Sequence, residues 1–175
     1  MRNFHILLLA VLFSISAVSQ EKLVQFPDDF FGIYTGMLQI SSDKGNQILP
    51  MEFQLLATDT AGKYTYTLVY GEGETKQIRY YSLLEKNKAT GAYVVDENNG
   101  IILDDKVQDN RMYAVFEVND TLLTTFITFE ADHMIFEIIA TSKNDKRVTY
   151  TEDEDKIEVI SYPISTIQRA VLKKL

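Results

Sequence analysis

From about residue 30 onward, apolar and polar positions alternate in short runs broken by turn residues, the period of strands with one buried face. In LPMEFQLLA, Leu49, Met51, Phe53, Leu55 and Ala57 alternate against Pro50, Glu52 and Gln54. In KYTYTLVY, Tyr64, Tyr66, Leu68 and Tyr70 face one way, and Lys63, Thr65, Thr67 and Val69 the other. KQIRYYSLLEK follows, with Ile78, Tyr80, Ser82 and Leu84 expected inward. GAYVVDENNGIIL reads as a hairpin turning at Asn99-Gly100, a dipeptide suited to a type I′ turn. The segment DDKVQDN is expected to be a polar loop before RMYAVFEV, where Met112, Ala114, Phe116 and Val118 share a face. TLLTTFITF, MIFEIIATS, RVTYTED and KIEVISY complete a series of roughly ten strands at intervals of roughly 8–14 residues. In the last segment, SYPISTIQRAVLKKL, Ser165 and Gln168 can form a capping box. Ile167, Ala170, Val171 and Leu175 then share a helical face, so a short C-terminal helix is expected, with continuation as a strand the alternative.

Strands joined by turns this short are mostly antiparallel neighbours, because a parallel return needs a long crossover. Such a meander buries its apolar faces by stacking two sheets or by closing one sheet on itself. Closure demands strong local coiling, and a strand marks it with glycine. The first strand, FFGIYTGMLQI, places Gly32 and Gly36 on either side of Tyr34 on one face. The expectation is an all-β fold, an antiparallel up-and-down barrel of about 8–10 strands, with a β-sandwich as the alternative.

The run Gly32-Ile33-Tyr34, preceded by Asp28-Asp29-Phe30-Phe31, resembles the Gly-x-Trp start of the first strand in lipocalins and related calycins. Tyrosine stands where that family has tryptophan, and the chain contains no tryptophan. The resemblance implies a barrel whose floor is closed by the aromatic ring, with an arginine near the end of the barrel packed across it. Arg169 is placed for that part, which makes Gly32, Tyr34, Gly36 and Arg169 the expected closure set. The resemblance also implies a carrier of small hydrophobic molecules.

The N-terminus changes the setting. Arg2, the apolar run Ile6–Ile15 and the small-residue site Ala17-Val18-Ser19 follow the order of a secretory signal, expected to span residues 1–19. The chain has no cysteine, so the signal does not end in a lipid-modified one, and a periplasmic or secreted protein without disulfides is expected. Cleavage after Ser19 leaves 156 of the 175 residues as one domain, 20–175, and removes Arg2, moving the formal charge from −8 to −9. An acidic surface without a Lys/Arg cluster argues against nucleic acid, and although a signal with alternating strands of roughly ten residues also suits an outer-membrane barrel, stable membrane insertion is not expected. No protein partner is indicated.

Candidate chemistry is sparse. Beyond the signal, His133 in Glu130-Ala131-Asp132-His133 is the one histidine, at an expected hairpin tip, and no nucleophile, base and orienting group come together. Asp96–Gly100 superficially resembles a calcium loop but carries its glycine one position early. Asp104-Asp105 and Glu152–Asp155 read as solvated tips. No cofactor, metal site or enzymatic activity is expected. What stands out is tyrosine on inward faces, where a filled core would use Leu, Ile and Val, because a buried hydroxyl needs a partner such as water or ligand. Tyr34, Phe53, Tyr64, Tyr66, Tyr80, Met112, Phe116 and Phe136 are the expected lining of a pocket for a small hydrophobic or amphipathic ligand. The competing expectation is a β-rich interaction module with a filled core, binding through loops such as Asp104–Asn110.

Overall fold

A computed structural model describes residues 24–175. The expected signal, residues 1–19, lies outside the described residues. The strands are β1 (Gly32–Ser42), β2 (Gly45–Ala57), β3 (Lys63–Tyr70), β4 (Gln77–Asn87), β5 (Ala92–Asp96) and β6 (Ile102–Gln108). They continue as β7 (Arg111–Val118), β8 (Thr121–Phe129), β9 (His133–Ser142), β10 (Arg147–Tyr150), β11 (Glu158–Ser161) and β12 (Ile164–Lys174). Ten of them close a barrel in the order β1-β12-β9-β8-β7-β6-β5-β4-β3-β2, and every pairing is antiparallel. The barrel expectation therefore holds over the sandwich.

Four features differ from the sequence reading. Residues Ile164–Lys174 form the closing strand β12, not a helix. The alternation that decides this is Gln168, Ala170 and Leu172 on the barrel face against Ile167, Arg169 and Val171 outside. With both β1 and β9 lacking a partner there, pairing outweighs the capping box. Second, β10 and β11 stand outside the barrel as a separate two-stranded hairpin between β9 and β12. Third, DDKVQDN is mostly strand: β6 runs to Gln108, with Asp105 and Val107 buried. Fourth, the β5–β6 turn takes positive φ at Asn98 (57°) and Gly100 (98°), not at Asn99, so it is a longer loop than a type I′ turn.

One end of the barrel is packed solid. The short 3-10 turn Asp28–Phe30 folds across it and brings Phe26 and Phe30 against Phe129, at ring distances of 5.7 and 5.3 Å. Phe129 also meets Tyr34 and Phe53, and all three are fully buried. The Tyr34 hydroxyl donates to the Phe30 carbonyl at 2.6 Å, which ties the plug to the first strand. Burial pushes that phenol up to about 12. The glycines beside Tyr34 are explained by β12. A Cβ on Gly36 would sit 2.5 Å from the Val171 carbonyl, and one on Gly32 would meet the Lys174 side chain at 2.6 Å. The close approach of β1 and β12 is what shuts this end.

The opposite end is open. It is rimmed by the β1–β2, β3–β4, β5–β6 and β7–β8 turns and by the root of the β10–β11 hairpin, as the antiparallel order requires.

Candidate functional site

Strand alternation turns one set of side chains into the open half. Tyr66, Leu68 and Tyr70 enter from β3, Tyr81 from β4, Val95 from β5, Leu103 from β6, Phe116 from β7, and Phe136 and Ile138 from β9. They enclose a cavity of about 440 Å³, within the range typical of small-molecule sites. Gln77, Arg79, Glu97, Thr125, Gln168 and Asp105 supply its polar groups.

The expected pocket residues divide three ways. Tyr66, Phe116 and Phe136 line the cavity. Tyr34, Phe53, Tyr64 and Met112 also point inward but lie outside the cavity lining. Tyr34 and Phe53 are fully buried in the packed floor, and Met112 is 1% exposed. Tyr64 packs against Phe31 at 5.7 Å, with its hydroxyl toward Glu85. Tyr80 is on the outside, 67% exposed. Its strand is read one residue out of register: Gln77, Arg79, Tyr81, Leu83 and Glu85 point inward, and Ile78 and Tyr80 outward. A one-residue slip moves every side chain to the other face. The slip arises because this strand's inner face ends in charged and polar residues, while its outer face carries Ile78 and Tyr80.

The floor closure differs in one member. Gly32, Tyr34 and Gly36 lie where β1 meets β12, but Arg169 points outward, half exposed, with Nε 3.4 Å from the Glu137 carboxylate. The cation over the closing ring is Lys174, its Nζ 5.7 Å from the Tyr34 ring centre. His133 opens β9 and its Nδ1 lies 2.7 Å from the exposed Asp132 carboxylate.

The residue that the sequence reading missed is Asp105. It is 9% exposed and lies in the cavity wall, with Tyr93 and Ala114 as its strand neighbours. Its carboxylate has no hydrogen bond or ion pair among the described residues. Burial, and then the charge of Asp104, pushes this carboxyl up to about 7. The Tyr66 hydroxyl is held well above its ordinary value by burial first and then by the negative charge of Asp105. Tyr66 stacks on Tyr81 at 6.4 Å and meets Phe53 edge-on at 4.8 Å, so its ring joins the solid floor to the open cavity. Nearer the mouth, burial and then Glu97 raise the Tyr81 phenol, while Arg79 acts in the other direction. The signal for Asp105 is present in ILDDKVQ: Leu103, Asp105 and Val107 alternate, which puts an acid on an apolar face.

Chemically, the arrangement is a chamber of aromatic and aliphatic side chains with a buried acid, Asp105, in its wall and further polar groups on its lining. It can enclose the apolar body of a small molecule and hold a polar group at fixed depth. No known protein family and no curated protein sequence matches the chain. Among solved structures, the fold is similar to that of an S-type phycobiliprotein lyase from Guillardia theta, with a TM-score of 0.56 over 85% of this chain and 89% of that one, at 8% sequence identity.

Proposed function

We propose that this protein is a lipocalin-like binding protein that holds a small hydrophobic or amphipathic molecule in the open half of its barrel. The observation that carries this reading is the cavity of about 440 Å³ in the open half of the barrel, lined by rings and aliphatic side chains together with a few polar groups. A barrel filled to both ends would suit the interaction module instead. Here packing is concentrated at the floor, and Tyr66, Tyr70 and Tyr81 above it line the cavity. The similarity in fold to a phycobiliprotein lyase supports a barrel of this shape, and its activity is not carried over. The core faces inward, and the outer strand faces mix Glu52, Lys106, Glu117 and Glu137 with Met37, Ile48, Val115 and Val171, unlike the polar lumen and apolar belt of a membrane barrel, which supports a water-facing surface. Export through residues 1–19 belongs to the same proposal and puts the carrier in the periplasm or outside the cell.

The test is to fill the cavity. Ala114, 5% exposed, lies on its wall. Ala114→Phe should weaken binding of a neutral apolar dye such as Nile red by about ten-fold or more, while a thermal melt still shows a cooperative transition. Unchanged dye affinity in a folded variant would move the binding site elsewhere.

A further inference from the structure

The carrier reading leaves open what chemistry the ligand has, and the polar atoms of the cavity narrow it. Asp105 is the unusual one. The residue is nine-tenths buried in the cavity wall, and an ionised acid so placed is unfavourable unless something pairs with it. Most folds satisfy such a group internally, with an arginine, a lysine or backbone amides. Here β5 and β7 offer Tyr93 and Ala114 at the paired positions, and no described side chain donates to it. The acid is therefore held ready for a donor that comes from outside.

Its surroundings say which kind of donor. Around the cavity stand the rings of Tyr66, Tyr81, Phe116 and Phe136. Aromatic faces attract a cation, and more strongly where water is excluded. A carboxylate among ring faces is a receptor for an ammonium group: the acid supplies charge and hydrogen-bond acceptors, the rings supply quadrupole attraction. The Tyr66 hydroxyl, on the same cavity lining and within electrostatic reach of the acid, adds a second acceptor. Arg79, which would repel a cation, has Glu97 to offset it across the Tyr81 hydroxyl. The chain's formal charge of −8 also favours the approach of cations.

We infer that the ligand is a hydrophobic amine, its protonated nitrogen bound to Asp105 beside Tyr66 and its apolar body in the rest of the chamber. This rests on the carrier reading and names the ligand class of the same cavity.

The test compares three ten-carbon probes that differ only in the head group: decylamine, decanol and decanoate. Each displaces Nile red from the wild-type protein and from Asp105→Asn at pH 8.5 and pH 5.5. The titratable and charged groups around Asp105 are Tyr93 at the paired position on β5, Asp104 beside it on its own strand, and, on the same cavity lining, Tyr66 and Tyr70 from β3, Arg79 and Tyr81 from β4 and Glu97 from the β5–β6 loop. The asparagine variant subtracts their contribution to any pH effect. At pH 8.5 decylamine should bind wild type about ten-fold or more tighter than decanol. That preference should shrink at pH 5.5, where Asp105 is protonated, and vanish in Asp105→Asn at both values. Equal affinity for amine and alcohol, a preference that survives Asp105→Asn, or tightest binding of decanoate would overturn the inference while leaving the carrier reading intact. Dye binding that none of the three displaces would overturn it in the same way. If Nile red itself does not bind, the carrier reading fails and this inference fails with it. Should the variant not fold, the pH dependence of the amine preference in wild type decides alone.

Discussion

Asp105 destabilises the fold when it is ionised. In the unfolded chain its carboxyl ionises near 3.8, whereas in the fold it holds its proton to about 7. Between those values the folded protein binds the extra proton, so stability from this group is present below about pH 4 and falls as pH rises towards 7. Above 7 the loss is complete and constant. Asparagine has nearly the same shape and no charge. Asp105→Asn should therefore be more stable than wild type at pH 8, by on the order of 3 kcal/mol, and nearly equal to it at pH 4. Urea unfolding of both proteins at the two pH values measures the difference directly. A variant less stable than wild type at pH 8 would mean that the carboxylate has a partner in solution. The position was hidden in the sequence for a physical reason. Adjacent acids such as Asp104-Asp105 mark solvated turns far more often than strand interiors, and only the Leu103/Val107 alternation points the other way.

At the scale of elements, legibility follows how cleanly each strand separates its two faces. β2 and β3 alternate most cleanly in their middles, and there Met51, Phe53, Leu55, Tyr66 and Leu68 are buried as read. Leu49, Tyr64 and Tyr70 of the same inward sets are half-buried, Ala57 is exposed, and Thr67 and Val69 on the outer face of β3 are buried too. In β4 both faces carry tyrosine and aliphatic residues, and periodicity cannot choose between them. Its register is set instead by pairing: Tyr81 stands opposite Tyr66, whose face β3 had already fixed. β12 shows the same dependence, since a 3.6-residue and a 2-residue reading of TIQRAVLKK both collect apolar residues, and the vacant edges of β1 and β9 decide. β10 and β11 are strands in both readings, but nothing local says that they leave the barrel. Every residue of the two is exposed, and Thr141 before them is paired with Ile164 after them. The barrel thus closes without the hairpin. Replacing residues 146–161 by a short Gly-Ser turn should keep a cooperative unfolding transition and change stability by less than about 1 kcal/mol. Calorimetry of the shortened chain checks this, and a loss of more than about 3 kcal/mol would show that the hairpin packs on the barrel in solution.

Across the whole molecule the two ends of one barrel divide the work, and the division predicts opposite responses to the same substitution. At the floor, Phe129 touches the rings of Phe26, Phe30, Tyr34 and Phe53 and is fully buried. Phe129→Ala removes a ring at the centre of four others, and a fully buried site of this kind refills only in part. The loss should be about 3–5 kcal/mol. Phe116 lines the cavity and is already partly exposed. Its truncation enlarges a space that is open from the start, so no new enclosed void forms. Phe116→Ala should lose about 1 kcal/mol or less of stability, and weaken binding of Nile red or decylamine several-fold. Urea unfolding and dye titration on the two variants place them on opposite axes. If Phe116→Ala were as destabilising as Phe129→Ala, the upper half would be packed core and the chamber would not exist in solution. If instead stability falls only at the floor and affinity only above it, the tyrosine-rich interior that stands out in the sequence is explained as the wall of a binding chamber built on a closed base.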